Sequence, residues 1–304
     1  MMGGGRAIET MRTHGMASST TYANFRNVVR AINKHPLLAI KFPSDKAALQ
    51  KVALAFSKKG QHNLFRNCVG CVDGLALKIR LPPKSKCANV TRFHSGGKNF
   101  NALNMQGVCN SNYEFTAVTC MHVGSTNDAK AFETSSLKAL CDNLPFPLHL
   151  LGDPAYTSSE SMLVPFPGTN LHEKEPYKES FNFYHSQIRI NIECTFGIFV
   201  RRWGILWKPL AFDLDFTFEL IHALCRLHNF CCRRNTPALS QSSGLMCDPL
   251  LEVDVDGRLV NEVWRCDETF QSSTPVSNLN TAREKILIEI TSKNILKVRS
   301  HHRL

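Results

Sequence analysis

Val69, Cys71, Asp73, Leu75, Leu77, Ile79 and Leu81 fall on every second position of one segment, and all but Asp73 are apolar. A period of two predicts a strand with one face turned to a core. Asp73 then points toward that face, unless a bulge at Gly74 re-aims it. An ionised carboxylate in such a place is costly unless something cationic compensates it.

Two further acids share this character. Asp153 follows the apolar run 146–151 and precedes Pro154, so it sits where a strand must end. Glu193 lies beside the stripe Ile188, Ile192, Phe196 and Phe199 of a helix expected over about 185–202. Three such carboxylates, on two strands and a later helix, point to a metal as the compensator. Carboxylate oxygens are hard ligands suited to Mg²⁺ or Mn²⁺, the requirement of phosphodiester chemistry on nucleic acid.

The rest of the chain supplies a frame. Residues 1–22 read as disordered and 23–66 as a helical shoulder, with helices at 22–34 (Phe25, Val28, Val29, Ile32) and from Pro43-Ser44-Asp45 (Leu49, Val52, Ala53, Phe56). Strands follow at 69–81, 100–108 and 113–123, an antiparallel meander. A helix opening at Asn127-Asp128 and a fourth strand at 146–151 complete it. Residues 165–180 read as an exposed loop, 216–233 as a helix and 235–280 as loop-rich. Thr281 and Glu284 form a capping box for a last helix with Ile286, Leu287 and Ile290. The order β-β-β-α-β-α, with acids on the first strand, at the end of the fourth and on a later helix, predicts an α/β fold with a mixed sheet flanked by helices, and it resembles the ribonuclease-H-like pattern. The domain is drawn at 67–234, with a C-terminal extension at 235–304.

Lysines and arginines outnumber acids 36 to 25, for a net charge of +11, which favours polyanionic partners. No run of about 18 apolar residues could span a bilayer, and residues 1–16 lack the apolar core of a secretory signal. A soluble intracellular protein with no membrane partner is expected. The twelve cysteines therefore read as reduced thiols. Zinc at Cys68 and Cys71, or at His222, Cys225, His228, Cys231 and Cys232, is the weaker reading, because such helical spacings do not meet at a point.

Several segments in order carry a resemblance. They are Asn67-Cys-Val-Gly-Cys-Val-Asp-Gly74, Asn104-Met-Gln106, Gly124-Ser-Thr-Asn-Asp128, Leu151-Gly-Asp-Pro-Ala-Tyr156, Phe181-Asn182, Arg189-Ile-Asn-Ile-Glu-Cys-Thr-Phe-Gly197 and Arg226-Leu-His-Asn-Phe230. Together they resemble the PIF/Harbinger-type DDE transposases and the nucleases descended from them. The resemblance implies that Asp73, Asp153 and Glu193 are catalytic and hold two divalent ions. Asp128 precedes a helix and reads as its cap, with an auxiliary metal or water ligand as the alternative. The resemblance also implies metal-dependent DNA cleavage, with strand transfer by a freed 3′-hydroxyl as a further capacity. Arg189, Arg201, Arg202, Lys98 and Arg92 are the candidate DNA contacts. DNA, a Myb-like DNA-binding partner protein and further copies of the chain are the implied partners. The nucleus is the expected location, with the cytoplasm as a second. Leu75-Ala76 stands where the family often has Thr-His, and only about 60 residues precede the first strand, too few for the family's usual helix-turn-helix module. Both departures keep open an inactive, domesticated transposase acting as a DNA-binding or scaffold protein. The bland readings pair Asp73 with Lys78 and Glu193 with Arg189, and make Asp153 a turn residue.

Overall fold

The computed structural model describes residues 7–83, 85, 87, 89–168, 171–234, 252–253, 259–260 and 281–297. A six-stranded sheet is its spine, built from β1 (Cys68–Lys78), β2 (His94–Ser95), β3 (Phe100–Cys109), β4 (Phe115–Val123), β5 (His149–Leu151) and β6 (Met162–Leu163). Strand β3 pairs antiparallel with β1, β2 and β4. Strand β5 pairs parallel with both β1 and β6. The meander is therefore present, and the sheet is mixed, as an α/β ribonuclease-H-like fold requires.

The register of β1 against β3 runs unbroken from Cys71–Cys109 to Lys78–Ala102. No bulge at Gly74 turns Asp73 aside. The irregularity lies earlier, where pairing to β5 shifts between Cys68 and Gly70. Because of it Val69 packs in a different layer from Cys71, and the alternation read from Val69 onward holds only from Cys71.

Helices cover both faces. One layer is α2 (Ser18–Lys34), α7 (Pro176–Arg202), α8 (Leu214–Arg233) and α9 (Thr281–Ser292), with Phe25, Ile188, Phe199, Leu220 and Ile290 in one apolar cluster. The other is α3 (Lys46–Ser57), α4 (Asp128–Glu133) and α5 (Ser136–Asp142), packing Leu49, Phe132 and Leu137 against Val72, Val108 and Leu150. Helix α3 starts on its Asp45 cap, which accepts from Ala48 N at 2.8 Å. The terminal helix enters the main core through Ile286 and Ile290.

Several boundaries depart from the sequence reading. Residues within 1–22 form helix α1 (Ala7–His14) and the first turn of α2. Buried Phe25 and Val29 anchor α2, and an anchored helix propagates outward at little further cost. Val28, assigned to that apolar face, is 53% exposed. The expected loop at 165–180 contains α6 (Leu171–Lys174) and the start of α7 at Pro176, where proline suits the first helical position. Of the loop-rich stretch, only β7 (Glu252–Val253) and β8 (Leu259–Val260), an antiparallel pair, are described. The remainder of 235–280, and residues 1–6, lie outside the described residues. No helix among the described residues is long and apolar enough to cross a membrane.

Candidate active site

Strand β1 carries Asp73 toward the α7 side of the sheet. Its Oδ1 accepts from the next amide, Gly74 N, at 2.7 Å, and its Oδ2 lies 3.5 Å from Arg189 Nη1. Arg189 is on α7, one turn before Glu193, and its other terminal nitrogen pairs with Glu193 Oε1. One guanidinium, 16% exposed, thus spans two of the three sequence-predicted acids.

Asp153 lies two residues past β5, where Pro154 forbids further ladder pairing. Its Oδ1 accepts from Ala155 N at 3.0 Å, an Asx-type turn that holds the carboxylate at the strand's carboxyl end. Parallel pairing of β5 with β1 brings this end beside Asp73.

Asp128 is the first residue of α4, but the cap is its neighbour. Asn127 Oδ1 accepts from Lys130 N at 2.9 Å. Asp128 Oδ1 instead accepts from Asn104 Nδ2 at 2.8 Å and Gln106 Nε2 at 2.7 Å, both on β3. Tyr156 donates to Gln106 Oε1 at 2.6 Å. Asn104, Gln106 and Tyr156 were visible in the sequence only as members of the segments that carry the resemblance, with no role.

The electrostatics reflect crowded negative charge. Burial, then the nearby Asp153, push the Asp73 carboxyl up to about 8 against the opposing pull of Arg189. Burial and then Asp128 raise Asp153 as well, with Glu193 a smaller contributor. Asp153 thus weighs on Asp73 and Asp128 on Asp153, while Glu193 is drawn to Arg189. Among the described residues no three His, Cys, Asp or Glu side chains converge tightly enough to hold a metal ion, and Arg189 stands between Asp73 and Glu193. The donor set nevertheless fits a hard divalent cation: its oxygens are the right chemistry, and its surplus charge is what such a cation relieves.

The candidate DNA contacts separate. Arg92 and Lys98 are exposed beside and beyond β2, and Arg201 is exposed at the end of α7. Arg202 turns inward: it is 9% exposed and donates to His228 O at 3.2 Å. Lys78 lies over the Phe100 ring, 4.8 Å from its centroid. Of the zinc reading, Cys232 Sγ comes within 3.4 Å of His228 Nε2, but no third such side chain joins them to hold a metal ion among the described residues. Cys71 donates to Ile188 O at 3.3 Å and His228 Nε2 to Tyr113 O at 2.8 Å.

No curated protein and no solved structure matches the chain. The family described as DDE superfamily endonuclease matches residues 72–229, from just before Asp73 through Glu193 to Asn229, which is more than half of the chain. The carboxylates gathered around Arg189 lie wholly inside that match, and this chain belongs to the DDE superfamily endonucleases.

Proposed function

We propose that the protein is a divalent-metal-dependent DNA endonuclease of the PIF/Harbinger transposase type, acting in the nucleus with DNA recognition supplied in part by a Myb-like partner. The observation that carries this reading is the gathering of Asp73, Asp153 and Glu193, from three separate segments, around one largely buried arginine, with Asp128 close enough to act on both aspartates. Asp73, Asp153 and Glu193 would hold the metal, with Asp128 beside them. When bound, Mg²⁺ or Mn²⁺ ions supply Lewis acidity to the phosphate and lower the pKa of an attacking water.

The chain's own groups do the remaining work. The turn at Asp153 and the amide of Gly74 keep two carboxylates pointed and desolvated before substrate arrives. Arg189, released from Asp73, is placed to take a phosphate oxygen through its planar fork. Exposed Arg92, Lys98 and Arg201 would supply further contacts to a phosphate backbone. Water attack on phosphorus expels a 3′ oxygen, and the freed 3′-hydroxyl is the nucleophile for strand transfer.

A second reading, an inactive DNA-binding or scaffold protein, is favoured by Arg189 itself, which already neutralises Asp73 and Glu193. Cleavage of labelled duplex DNA with Mg²⁺ or Mn²⁺ separates the two. Metal-dependent nicking by the wild type, lost in Asp153→Asn, supports the endonuclease. No cutting by either protein, even with a Myb-like partner added, supports the binding protein.

A further inference from the structure

The three-acid reading leaves Asn104, Gln106 and Tyr156 without a task, yet they form a closed polar network in the sheet. Asn104 Nδ2 donates to Thr126 O at 3.0 Å and to Asp128 Oδ1 at 2.8 Å. Gln106 Nε2 donates to Asn104 Oδ1 at 2.8 Å and to Asp128 Oδ1 at 2.7 Å. Each amide nitrogen has two hydrogens, so all four are spent. The Tyr156 hydroxyl, on a side chain 3% exposed, closes the network on Gln106 Oε1 at 2.6 Å.

This bond decides which way Gln106 faces. With its oxygen held by Tyr156, the amide must present nitrogen to Asp128; flipped, it would present oxygen to a carboxylate. Burial, and then the negative field of Asp73 and Asp128, raise the tyrosine well above its usual range, so it stays a donor. Gln106 is fully buried, a position where an apolar side chain would serve packing alone at no desolvation cost.

Gly74 supplies the complementary half. A Cβ there would lie 2.0 Å from Asp128 Oδ1 and 2.6 Å from Gln106 Nε2. The missing side chain lets Asp128 reach the backbone of β1 directly beside Asp73. Both donated hydrogens go to Oδ1, and Oδ2 makes no hydrogen bond among the described residues. The cap function of α4 belongs to Asn127, so helix capping does not account for the clamp.

We propose that Tyr156, Gln106 and Asn104 are positioning residues that fix Asp128 as a fourth carboxylate of the active site, so that affinity for a divalent cation depends on the Tyr156 hydroxyl. The proposal rests on the metal-dependent endonuclease reading and deepens it. Partners that orient ligating groups typically contribute about 10–100-fold to metal affinity.

The test is calorimetric titration of Mn²⁺ into the full chain for wild type, Tyr156→Phe, Asp128→Asn, their double variant and Asp153→Asn, with a thermal melt of each. Tyr156→Phe is expected to weaken Mn²⁺ binding about 10-fold in a protein that still folds, its melting temperature lowered only by the cost of leaving the buried Gln106 oxygen unsatisfied. In the Asp128→Asn background the same change should have no further effect, because the hydroxyl acts through Asp128. If Tyr156→Phe fails to fold, Gln106→Glu replaces it; matching the shape, it turns a donor into an acceptor and should show the same loss and the same dependence on Asp128. Wild-type affinity in the folded variant, or an equal loss with and without Asp128, overturns the proposal. If Asp153→Asn alone abolishes binding, the proposal falls and the endonuclease reading stands. If the wild type takes up no Mn²⁺, or Asp153→Asn binds as wild type, both fall together.

Discussion

Arg189 sets the balance of charge at the residue scale, because it touches Asp73 and Glu193 at once while Asp153 has no cation of its own among the described ion pairs. Removing it leaves acids with no counterion in a poorly solvated place. Breaking a fully buried pair costs about 3–5 kcal/mol, and Glu193 is 36% exposed, so about 2–3 kcal/mol is the expected loss for Arg189→Ala after allowance for screening. Urea melts in chelator check this. Added Mn²⁺ should recover much of the loss, since a bound cation replaces the missing one. A variant as stable as wild type in chelator would show that the guanidinium does not hold these acids. The three acids were legible because each interrupts an apolar or helical pattern. The Arg189–Glu193 pair was legible too, being one turn apart. Its reach to Asp73 was not, since no spacing rule links positions that far apart along the chain. Gln106 and Tyr156 escaped for a related reason: a buried amide and a phenol look like core polar residues until their shared partner is seen.

At the scale of elements, two of the segments that carry the family resemblance act as stitches. Asn229 on α8 exchanges two bonds with the Phe115 backbone of β4, at 2.8 and 2.7 Å. Asn182 on α7 does the same for Phe166, at 2.7 and 2.9 Å. Such side chains satisfy backbone groups that no strand or helix partner reaches, so a family fingerprint can mark architecture as well as chemistry. Periodicity found the long elements and their buried faces. It missed α5, β6 and the first turns of α7, because two-residue strands have no period and Pro176 reads as a breaker when it is in fact a helix start. Helix α8 depends on one residue for its beginning. Asp213 caps it through Phe216 N at 3.0 Å and also pairs with Arg26 of α2. Asp213→Ala should therefore cost about 1.5 kcal/mol, roughly 1 from the cap and the rest from a half-exposed pair. Asp213→Asn should recover the cap portion only. Denaturation midpoints decide the matter: equal stability of all three proteins would remove the cap as the anchor of α8.

Over the whole molecule, buried groups with displaced proton affinities make stability depend on pH from two sides. His149, His185 and His228 are each no more than 1% exposed. Burial lowers them to about 4, about 3 and about 4 respectively. Each keeps an N–H pinned to a carbonyl, of Pro147, Leu163 and Tyr113. A depressed histidine contributes stability above its unfolded pKa near 6.5, which is lost as pH falls toward the folded value, because the unfolded chain takes up the proton first. Each such proton is worth about 1.4 kcal/mol per pH unit. Asp73 acts with the opposite sign. Its carboxyl is raised to about 8, so the folded chain holds a proton that the unfolded chain has released, and stability falls as pH rises from about 4 to about 8. Between 4 and 6.5 the three histidines outweigh it; above 6.5 Asp73, with Asp153 raised beside it, sets the slope, and the buried thiols Cys71, Cys120 and Cys141 join near the unfolded thiol value of about 8.5. The metal-free protein should be most stable near pH 6.5 and weaken on both sides. Chemical denaturation in chelator at pH 4.5, 6.5 and 8.5 tests this. Asp73→Asn should reduce the alkaline loss and steepen the acid side, where Asp73 offsets part of the histidine contribution. Mn²⁺ should also lift the alkaline side, because a cation at the carboxylates favours their ionised forms. An alkaline loss as large in Asp73→Asn as in the wild type would mean that the strain of buried negative charge lies elsewhere than on β1.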